Sequence, residues 1–443
     1  MNPREVQVSL NGSGRCGTNP GTESGWGRLS QVSRLSAVRD RIRAQRSLPR
    51  EVYVLGLIAF CVAVGFGVLV PVLPVFARSF GVGNLEVGAV ISAFALMRLV
   101  SSPLCGRLIE RWSERIVMAT GIFIVAISSG LAGISQSYEQ LLVLRGVGGI
   151  GSAMFTVSAF TLLLTSVEAG MRGRAAGFFH AGFLIGGMAG PAVGGLLSAI
   201  ALTAPFFFYA GTLAVAGTVG LVLLRPRGAR PDESETVRVA FRDVLRDPRY
   251  QAACVTNLAQ GWTSFGVRSS LVPVLVVEVL NRPTSWTGVA FAVAAVAQTI
   301  AIGPAGRFVD TVGRRPAMIG GGVGAGVAIM AVPFAPNIWL LMVALCAYGV
   351  ASAFLGTAPA AAVGDATGGG RSGTAVAAFS MCADIGAIIG PLVAGLLADV
   401  VSYPVAFGVG AGLMILAAGL SVRMPREPVA PAERMNGEPA VAE

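Results

Sequence analysis

Apolar runs of about 20 residues alternate with short polar segments along most of the chain. An α-helix rises about 1.5 Å per residue, so a run of this length can cross a hydrocarbon core of about 30 Å. Six such runs precede a polar, arginine-rich stretch over Arg225–Tyr250, and six follow it. The runs are Val52–Phe76, Val87–Leu104, Ile116–Ile134, Leu141–Leu164, Ala175–Ala199, Pro205–Leu224, Ala252–Val279, Trp286–Ala305, Ala317–Ala335, Ile338–Val363, Thr374–Val400 and Pro404–Val422. The pattern predicts an all-α membrane protein with twelve transmembrane helices.

The two sets of six runs share residues at an offset of about 200 positions. The matched residues are Phe66, Gly67, Pro74, Gly106 and Gly186 in the first set and Phe265, Gly266, Pro273, Gly306 and Gly386 in the second. Internal repeats of this kind are typical of secondary transporters. We therefore predict two pseudo-symmetric six-helix halves, 52–224 and 252–422. A linker loop, 225–251, joins them, and a basic N-terminal tail, 1–51, and a C-terminal tail, 423–443, flank them.

Composition supports the membrane assignment, and the placement of arginine predicts an orientation. The chain is 54% hydrophobic and 13% charged, whereas a soluble domain carries about 25% charged residues. All 33 Lys+Arg residues are arginine, and among the loops on one side only Arg78 and Arg282 occur. Cytoplasmic loops carry the excess of positive residues. We predict a multi-pass protein of the inner (plasma) membrane, with both termini and the linker loop in the cytoplasm.

The residue inventory excludes several kinds of site. Without lysine the chain has no P-loop, and with one histidine, His180, it has no H-E-x-x-H zinc motif. The six cysteines form no C-x-x-C pair. The net charge of +10 would suit a nucleic-acid partner, but the arginines lie between apolar runs. We expect no metal, no cofactor, no nucleic acid and no enzymatic activity.

Two loops carry the same pattern of glycine, acid and arginines. The loop after the second run reads Gly106-Arg-Leu-Ile-Glu110-Arg111-Trp-Ser113-Glu114-Arg115, and the loop after the eighth reads Gly306-Arg-Phe-Val-Asp310-Thr-Val-Gly313-Arg314-Arg315. Both resemble the G-x-L-a-D-R-x-G-R-[RK] loop of the major facilitator superfamily, and the resemblance extends over nearly all of residues 52–422. It implies the major facilitator fold and a cytoplasmic gate formed by Gly106, Glu110, Arg111, Arg115, Gly306, Asp310, Gly313, Arg314 and Arg315. The first copy departs from the motif at Ser113 and Glu114. The alternative is that these arginines only anchor the loops in the cytoplasm.

The fifth run contains glycines at a regular spacing around a proline. It resembles the G-x-x-x-G-P-x-x-G-G signature of the drug/proton antiporter branch of the superfamily, at Gly182, Gly186, Gly190, Pro191, Gly194 and Gly195. The alternative is a closely packed helix interface, which glycines four residues apart also favour. An echo of the pattern in the eleventh run, at Gly386 and Gly390, weakens the specificity of the signature.

Three residues are candidates for proton coupling. Asp384 is the only carboxylate deep within a predicted span. It either takes and releases a proton or neutralises a buried arginine. Arg145 opens a stretch that resembles the superfamily's R-x-x-Q-G motif, which implies a role in coupling, although Gly148 replaces the glutamine. His180, near the cytoplasmic end of the fifth run, either relays protons or hydrogen-bonds a neighbour.

Four residues are candidates for the substrate cavity: Arg98, Arg268, Trp262 and Phe265. Arg98 could instead extend to the cytoplasmic face, and Trp262 and Phe265 could pack in the core. Three intramembrane arginines against one aspartate leave a net positive charge, which favours anionic or neutral substrates over organic cations.

These features predict a secondary active transporter that exports small amphipathic compounds by proton antiport and alternating access. The expected partners are a small-molecule substrate, protons and the lipid bilayer, and we expect a monomer. The alternative in the same fold is a symporter or facilitator for an organic anion or a sugar. A membrane enzyme or receptor is disfavoured, because no set of His, Cys, Asp and Glu residues is clustered along the chain.

Overall fold

The computed structural model describes residues 48–167, 171–224, 241–366 and 373–425. Most of the two predicted tails and of the linker loop lies outside these residues. The α-helices in chain order are α1 Arg50–Leu69, α2 Leu73–Arg78, α3 Asn84–Trp112, α4 Glu114–Ala132, α5 Tyr138–Thr165, α6 Arg172–Ile200, α7 Ala204–Leu223, α8 Phe241–Arg246, α9 Pro248–Gly261, α10 Ser269–Glu278, α11 Thr284–Thr311, α12 Arg314–Ala331, α13 Ile338–Ala366, α14 Gly373–Val400 and α15 Tyr403–Ser421. A π-helical segment, Trp262–Arg268, joins α9 to α10, and a short 3-10 turn, Val332–Phe334, follows α12.

The predicted all-helical membrane fold is confirmed, with two of the twelve spans interrupted. Within the described residues, 11 helices are long and apolar enough to cross a membrane. The predicted seventh span is absent from that count because the π-helical segment divides it into α9 and α10. The first span breaks between α1 and α2, where Pro71 and Pro74 lack the N–H groups that would continue the helix.

Glycines allow close helix contacts within each half. A Cβ atom at Gly186 on α6 would lie 2.5 Å from the carbonyl oxygen of Phe60 on α1, and one at Gly190 would lie 2.6 Å from Gly67 Cα. In the second half, a Cβ atom at Gly390 on α14 would lie 2.9 Å from Trp262 Cα. The predicted glycine motif of the fifth span therefore forms a packing surface, and its echo in the eleventh span does the same.

The two halves meet mainly along two helix pairs, α3 with α14 and α6 with α11, and α10 also contacts α2 and α3. We call the end of the bundle where Arg50 and Phe241 lie the linker end, and the other end the distal end. Near the distal end, the α6–α11 contact is so close that a Cβ atom at Gly288 would lie 2.5 Å from Gly195 Cα. Such an approach is possible only where both helices carry glycine.

Polar contacts close the distal end. Arg78 donates to both carboxylate oxygens of Glu278, from Nε at 2.7 Å and from Nη2 at 2.9 Å. Arg78 is the last residue of α2, beyond the apolar run that ends at Phe76, and these hydrogen bonds raise the pKa of its guanidinium. Asp399 accepts hydrogen bonds from the backbone N–H groups of Asn84 and Leu85, at 3.0 and 2.8 Å. A side chain of the second half thus caps the first turn of α3 in the first half.

The linker end lacks comparable contacts. Between described residues, the hydrogen bonds and ion pairs that join the halves extend from the distal end only as far as Arg98 and Asp384, near the middle of α3 and α14. The structure therefore has a closed distal end, and between its described residues we find no polar contact that joins the halves closer to the linker end than Arg98 and Asp384.

Candidate functional site

A cavity of about 300 Å³ lies near the middle of the bundle. Most of its lining comes from the first half, and the second half contributes Phe265 and Ala387. Its aromatic residues are Phe66, Phe94, Phe155, Phe183, Tyr209 and Phe265, and its polar residues include Arg98, Arg145, Ser152 and Thr156. A smaller cavity of about 30 Å³ shares Arg145 and Phe265 with it and extends to Leu73 and Pro74 at the distal side. The volume of the larger cavity lies at the lower end of the range of about 300–1,000 Å³ typical of ligand pockets.

Arg98 and Asp384 form an ion pair between the halves. Nη2 of Arg98 on α3 donates to Oδ1 of Asp384 on α14. The side chains are 32% and 25% exposed, so the pair is open to water. Arg98 also lines the cavity. The geometry thus gives Asp384 an arginine partner within the spans, as one of the two sequence interpretations expected, but the pair is partly exposed and lies at the wall of the cavity.

Arg145 has a different environment. It is 5% exposed, and its guanidinium carbon lies 4.4 Å from the centre of the Phe94 ring. Its Nε–H is buried without a hydrogen-bond acceptor, and no acid among the described residues pairs with it. Arg145 therefore presents an uncompensated positive charge at the wall of both cavities.

Arg268 lies in the second half, at the end of the π-helical segment. Its guanidinium carbon is 5.5 Å from the Phe291 ring and 5.9 Å from the Tyr348 ring. The Tyr348 hydroxyl lies 3.3 Å from Ser264 Oγ and donates to Gln260 Oε1 at 3.4 Å. Arg268 is not among the residues that line the two cavities. It belongs to a separate polar cluster inside the second half, which the sequence had not distinguished from the cavity.

Two other predicted residues lie away from the cavity. Trp262 packs in the hydrophobic core of the second half, and its Nε1 has no hydrogen-bond partner in the described structure. His180 is exposed on α6, with its ring centre 6.0 Å from that of Phe179 and 6.2 Å from that of Phe160. Phe265 is the one member of the predicted aromatic pair that lines the cavity.

The two motif loops make contacts only within their own halves among the described residues. Arg314 pairs with Asp365 at 2.9 Å, and Arg115 Nη1 donates to the carbonyl oxygen of Leu224 at 3.0 Å. Asp310 is exposed and has no partner among the described residues. Cβ atoms at Gly106 and Gly306 would meet no atom within 4 Å. Arg111 is also exposed and Arg315 is half-buried, whereas the side chain of Glu110 lies outside the described structure.

The backbone of the two loops is alike at one position. Gly313 has φ 115° and ψ 163°, and Ser113, its counterpart, has φ 86° and ψ 147°. This region of backbone conformation is open to glycine and unfavourable for other residues. The departure of the first loop from the motif therefore leaves a serine in a glycine conformation.

Sequence reasoning missed most of the cavity wall. Phe66, Phe94, Phe155, Phe183 and Tyr209 all line the cavity. The sequence does show aromatic residues in several spans, which could have indicated a cavity. However, the lipid-facing sides of membrane helices carry aromatic residues too. Helix rotation decides which ones face inward, and the weak amphipathicity of membrane helices leaves that rotation undefined in the sequence.

Comparison with known proteins identifies the architecture. A sequence profile of the Major Facilitator Superfamily matches residues 55–296 and 258–442. The chain is 29% identical to Multidrug resistance protein 1 of Bacillus subtilis (strain 168) over 214 residues, 47% of this chain and 54% of that protein. It is 26% identical to the Synaptic vesicular amine transporter of Mus musculus over 330 residues, 72% of this chain and 62% of that protein. The chain thus spans about half to three fifths of the length of these relatives.

Solved structures share the fold at low identity. A bacterial homologue of the human lysosomal transporter Spinster, inward-facing and unoccupied, has a TM-score of 0.65 at 16% identity, covering 84% of this chain and 94% of that one. The nucleoside transporter NupG has a TM-score of 0.65 at 16% identity, covering 84% and 98%. The human organic anion transporter MFSD10 has a TM-score of 0.61 at 19% identity, covering 84% and 100%. At these identities the likeness shows the fold alone.

Proposed function

Because the chain belongs to the major facilitator superfamily, we propose that it exports small amphipathic compounds in exchange for protons. It is a transporter and not an enzyme, as its relatives are transporters. The names of two relatives support drug export: the multidrug resistance protein of Bacillus subtilis and Quinolone resistance protein NorA of Staphylococcus aureus (strain MRSA252), 25% identical over 175 residues, 40% of this chain and 45% of that protein.

The ion pair of Arg98 with Asp384 is the observation that carries the proposal. It lies beside the cavity and joins helices of different halves. An ionised Asp384 holds α3 against α14, whereas a protonated Asp384 loses the charge that attracts Arg98. Protonation at this position therefore changes a contact between the halves, which is what coupling a proton to alternating access requires. Arg145 and His180 remain weaker candidates for a part in proton transfer.

The distribution of arginine supports an orientation in which the linker end faces the cytoplasm. In that orientation the described conformation is inward-facing, with the distal end closed to the outside. The motif loops then lie at the cytoplasmic end. We propose that Asp310 and its arginine neighbours form contacts between the halves when that end closes.

Replacement of Asp384 by asparagine tests the coupling role. The amide keeps the shape of the side chain but cannot titrate. Export from proteoliposomes driven by a proton gradient should be lost, while exchange of labelled substrate without a gradient should persist. Glu139→Gln provides a control, since Glu139 is exposed in the first turn of α5.

The result separates two roles for Asp384. If the side chain only neutralises Arg98, removing its charge leaves a partly exposed cation unpaired, which costs less than the about 3–5 kcal/mol typical of a fully buried pair. The protein level in the membrane should then fall, and the double variant Arg98→Gln with Asp384→Asn should restore it. A normal level together with normal gradient-driven export by Asp384→Asn would contradict both roles.

A second candidate function is a symporter or facilitator for an organic anion or a sugar. The unneutralised charges of Arg145 and Arg268 favour it, and two structural neighbours are named as nucleoside and organic anion transporters. Counterflow of labelled substrate in the absence of any ion gradient would distinguish a facilitator from an exchanger that needs protons.

A further inference from the structure

Arg145 is a charged group that the fold keeps without a counter-ion. A guanidinium is positively charged at any physiological pH, and it carries five N–H donors. Burying a charge is unfavourable unless it is paired and hydrogen-bonded. Arg145 is nevertheless 5% exposed, its Nε–H is unsatisfied, and it donates no hydrogen bond to a described residue. The ring of Phe94, whose centre lies 4.4 Å from the guanidinium carbon, gives it a favourable cation–π contact.

The surroundings of Arg145 give the cavity a positive potential. Among the described residues that line the cavity, none is a carboxylate. Asp384 is engaged by Arg98, and Arg98 itself lines the cavity. The remaining wall is aromatic or aliphatic, apart from small hydroxyl groups. A molecule in the cavity therefore meets an apolar surface and one unsatisfied cationic donor.

We infer that the cavity binds lipophilic monoanions, with a carboxylate or sulfonate on Arg145 and an aromatic or aliphatic body among Phe66, Phe155 and Phe183. The guanidinium fork matches the two oxygens of such a group, and a desolvated pair of this kind forms strong hydrogen bonds. An organic cation in the same position would lie against Arg145 and Arg98 with like charge. This inference rests on the proposed function only in taking the cavity as the transport site, and it does not require proton coupling.

Equilibrium binding to the purified full chain tests the inference. Three ligands of similar shape separate charge from size: naphthalene-1-sulfonate, the neutral naphthalene-1-sulfonamide and (1-naphthyl)trimethylammonium. In equilibrium dialysis the wild-type protein should bind the sulfonate at least tenfold more tightly than the sulfonamide or the ammonium compound. Arg145→Gln should weaken sulfonate binding at least tenfold and should change sulfonamide binding less than threefold.

The controls keep each outcome interpretable. Arg282→Gln, which removes an exposed arginine from a loop at the distal end, should retain the preference for the sulfonate. If Arg145→Gln does not fold, the relative affinities of the wild-type protein for the three ligands still test whether the cavity prefers anions. Equal or tighter binding of the ammonium compound by wild type would overturn the inference, as would unchanged sulfonate binding in a folded Arg145→Gln protein.

Equilibrium dialysis measures binding without a proton gradient. The inference about anion binding and the proposal of proton-coupled export can therefore be refuted independently. Proton-driven export of a cation without anion preference would overturn the inference alone. Anion preference in a protein whose transport ignores the proton gradient would overturn proton coupling alone.

Discussion

Substitution of Gly288 by alanine is expected to shift the protein towards a conformation open at the distal end. Gly288 lies on α11 and faces α6 of the other half. A Cβ atom at this position would lie 2.5 Å from Gly195 Cα and 2.6 Å from the carbonyl oxygen of Pro191. When the distal ends of the halves separate, the added methyl group meets open space. The substitution therefore opposes the closed conformation and leaves the open one unaffected.

The size of the shift follows from the geometry. Non-bonded carbon atoms rest about 3.5–4.0 Å apart, so the new methyl group is about 1 to 1.5 Å too close to Gly195. Overpacking of this kind costs about 1–3 kcal/mol. A difference of that size between two conformations changes their ratio by about 5- to 150-fold.

Accessibility of a buried cysteine measures the shift. Ser92 on α3 is 4% exposed and donates to the carbonyl oxygen of Ile388 in the other half at 2.6 Å. Ser92→Cys, in a chain whose six natural cysteines are replaced, should react slowly with a membrane-impermeant maleimide added to intact cells. Gly288→Ala should accelerate that reaction. Gly303→Ala on the same helix is the control, since a Cβ atom there meets nothing within 4 Å. Equal rates for the two variants at equal protein levels would refute the reasoning.

Five further substitutions probe the loops and the distal contacts. Ser113→Gly should raise the free energy of unfolding by about 1–3 kcal/mol, because it relieves a backbone conformation that favours glycine, and Gly313→Ser should lower it; thermal unfolding in detergent measures both. Arg78→Gln and Glu278→Gln should each raise the Ser92→Cys labelling rate by at most about fivefold, since exposed ion pairs contribute about 0.2–1 kcal/mol, and the double variant should match the single ones. Asp310→Asn should reduce transport at an unchanged level in the membrane, and full activity would mean that the loop only anchors the helix.

The sequence predicts the helices well and the interior of the bundle poorly. Span length and residue spacing follow from the thickness of the bilayer, so the twelve apolar runs and the glycine faces of α6 and α14 were predictable. The division of the seventh span was not, because the π-helical segment Trp262–Arg268 contains no proline, and Pro273 lies beyond it. Likewise, the position of Arg268 within the sequence of its span is the same whether its side chain faces the cavity or the Phe291 ring.

The partner of Asp384 shows where prediction from sequence ends. Its isolation among apolar residues indicated either a proton site or a buried ion pair, and three arginines were available as partners. Only the register of α14 against α3 brings Arg98, and not Arg145, to the carboxylate. That register depends on side-chain packing between elements nearly 300 residues apart in sequence, and no local pattern encodes it.

The polar contacts that close the distal end are individually weak, and the proposed alternating access depends on this. The Arg78–Glu278 pair is 29% and 39% exposed, which limits it to about 0.2–1 kcal/mol. The cap that Asp399 places on α3 is of the kind that contributes about 0.5–2 kcal/mol. Together they amount to a few kcal/mol, comparable to the roughly 2.3 kcal/mol gained when one charge crosses 100 mV. In the proposed mechanism, one proton exchanged at Asp384, which joins α3 and α14 nearer the middle of the bundle, would supply enough energy to open contacts of this strength.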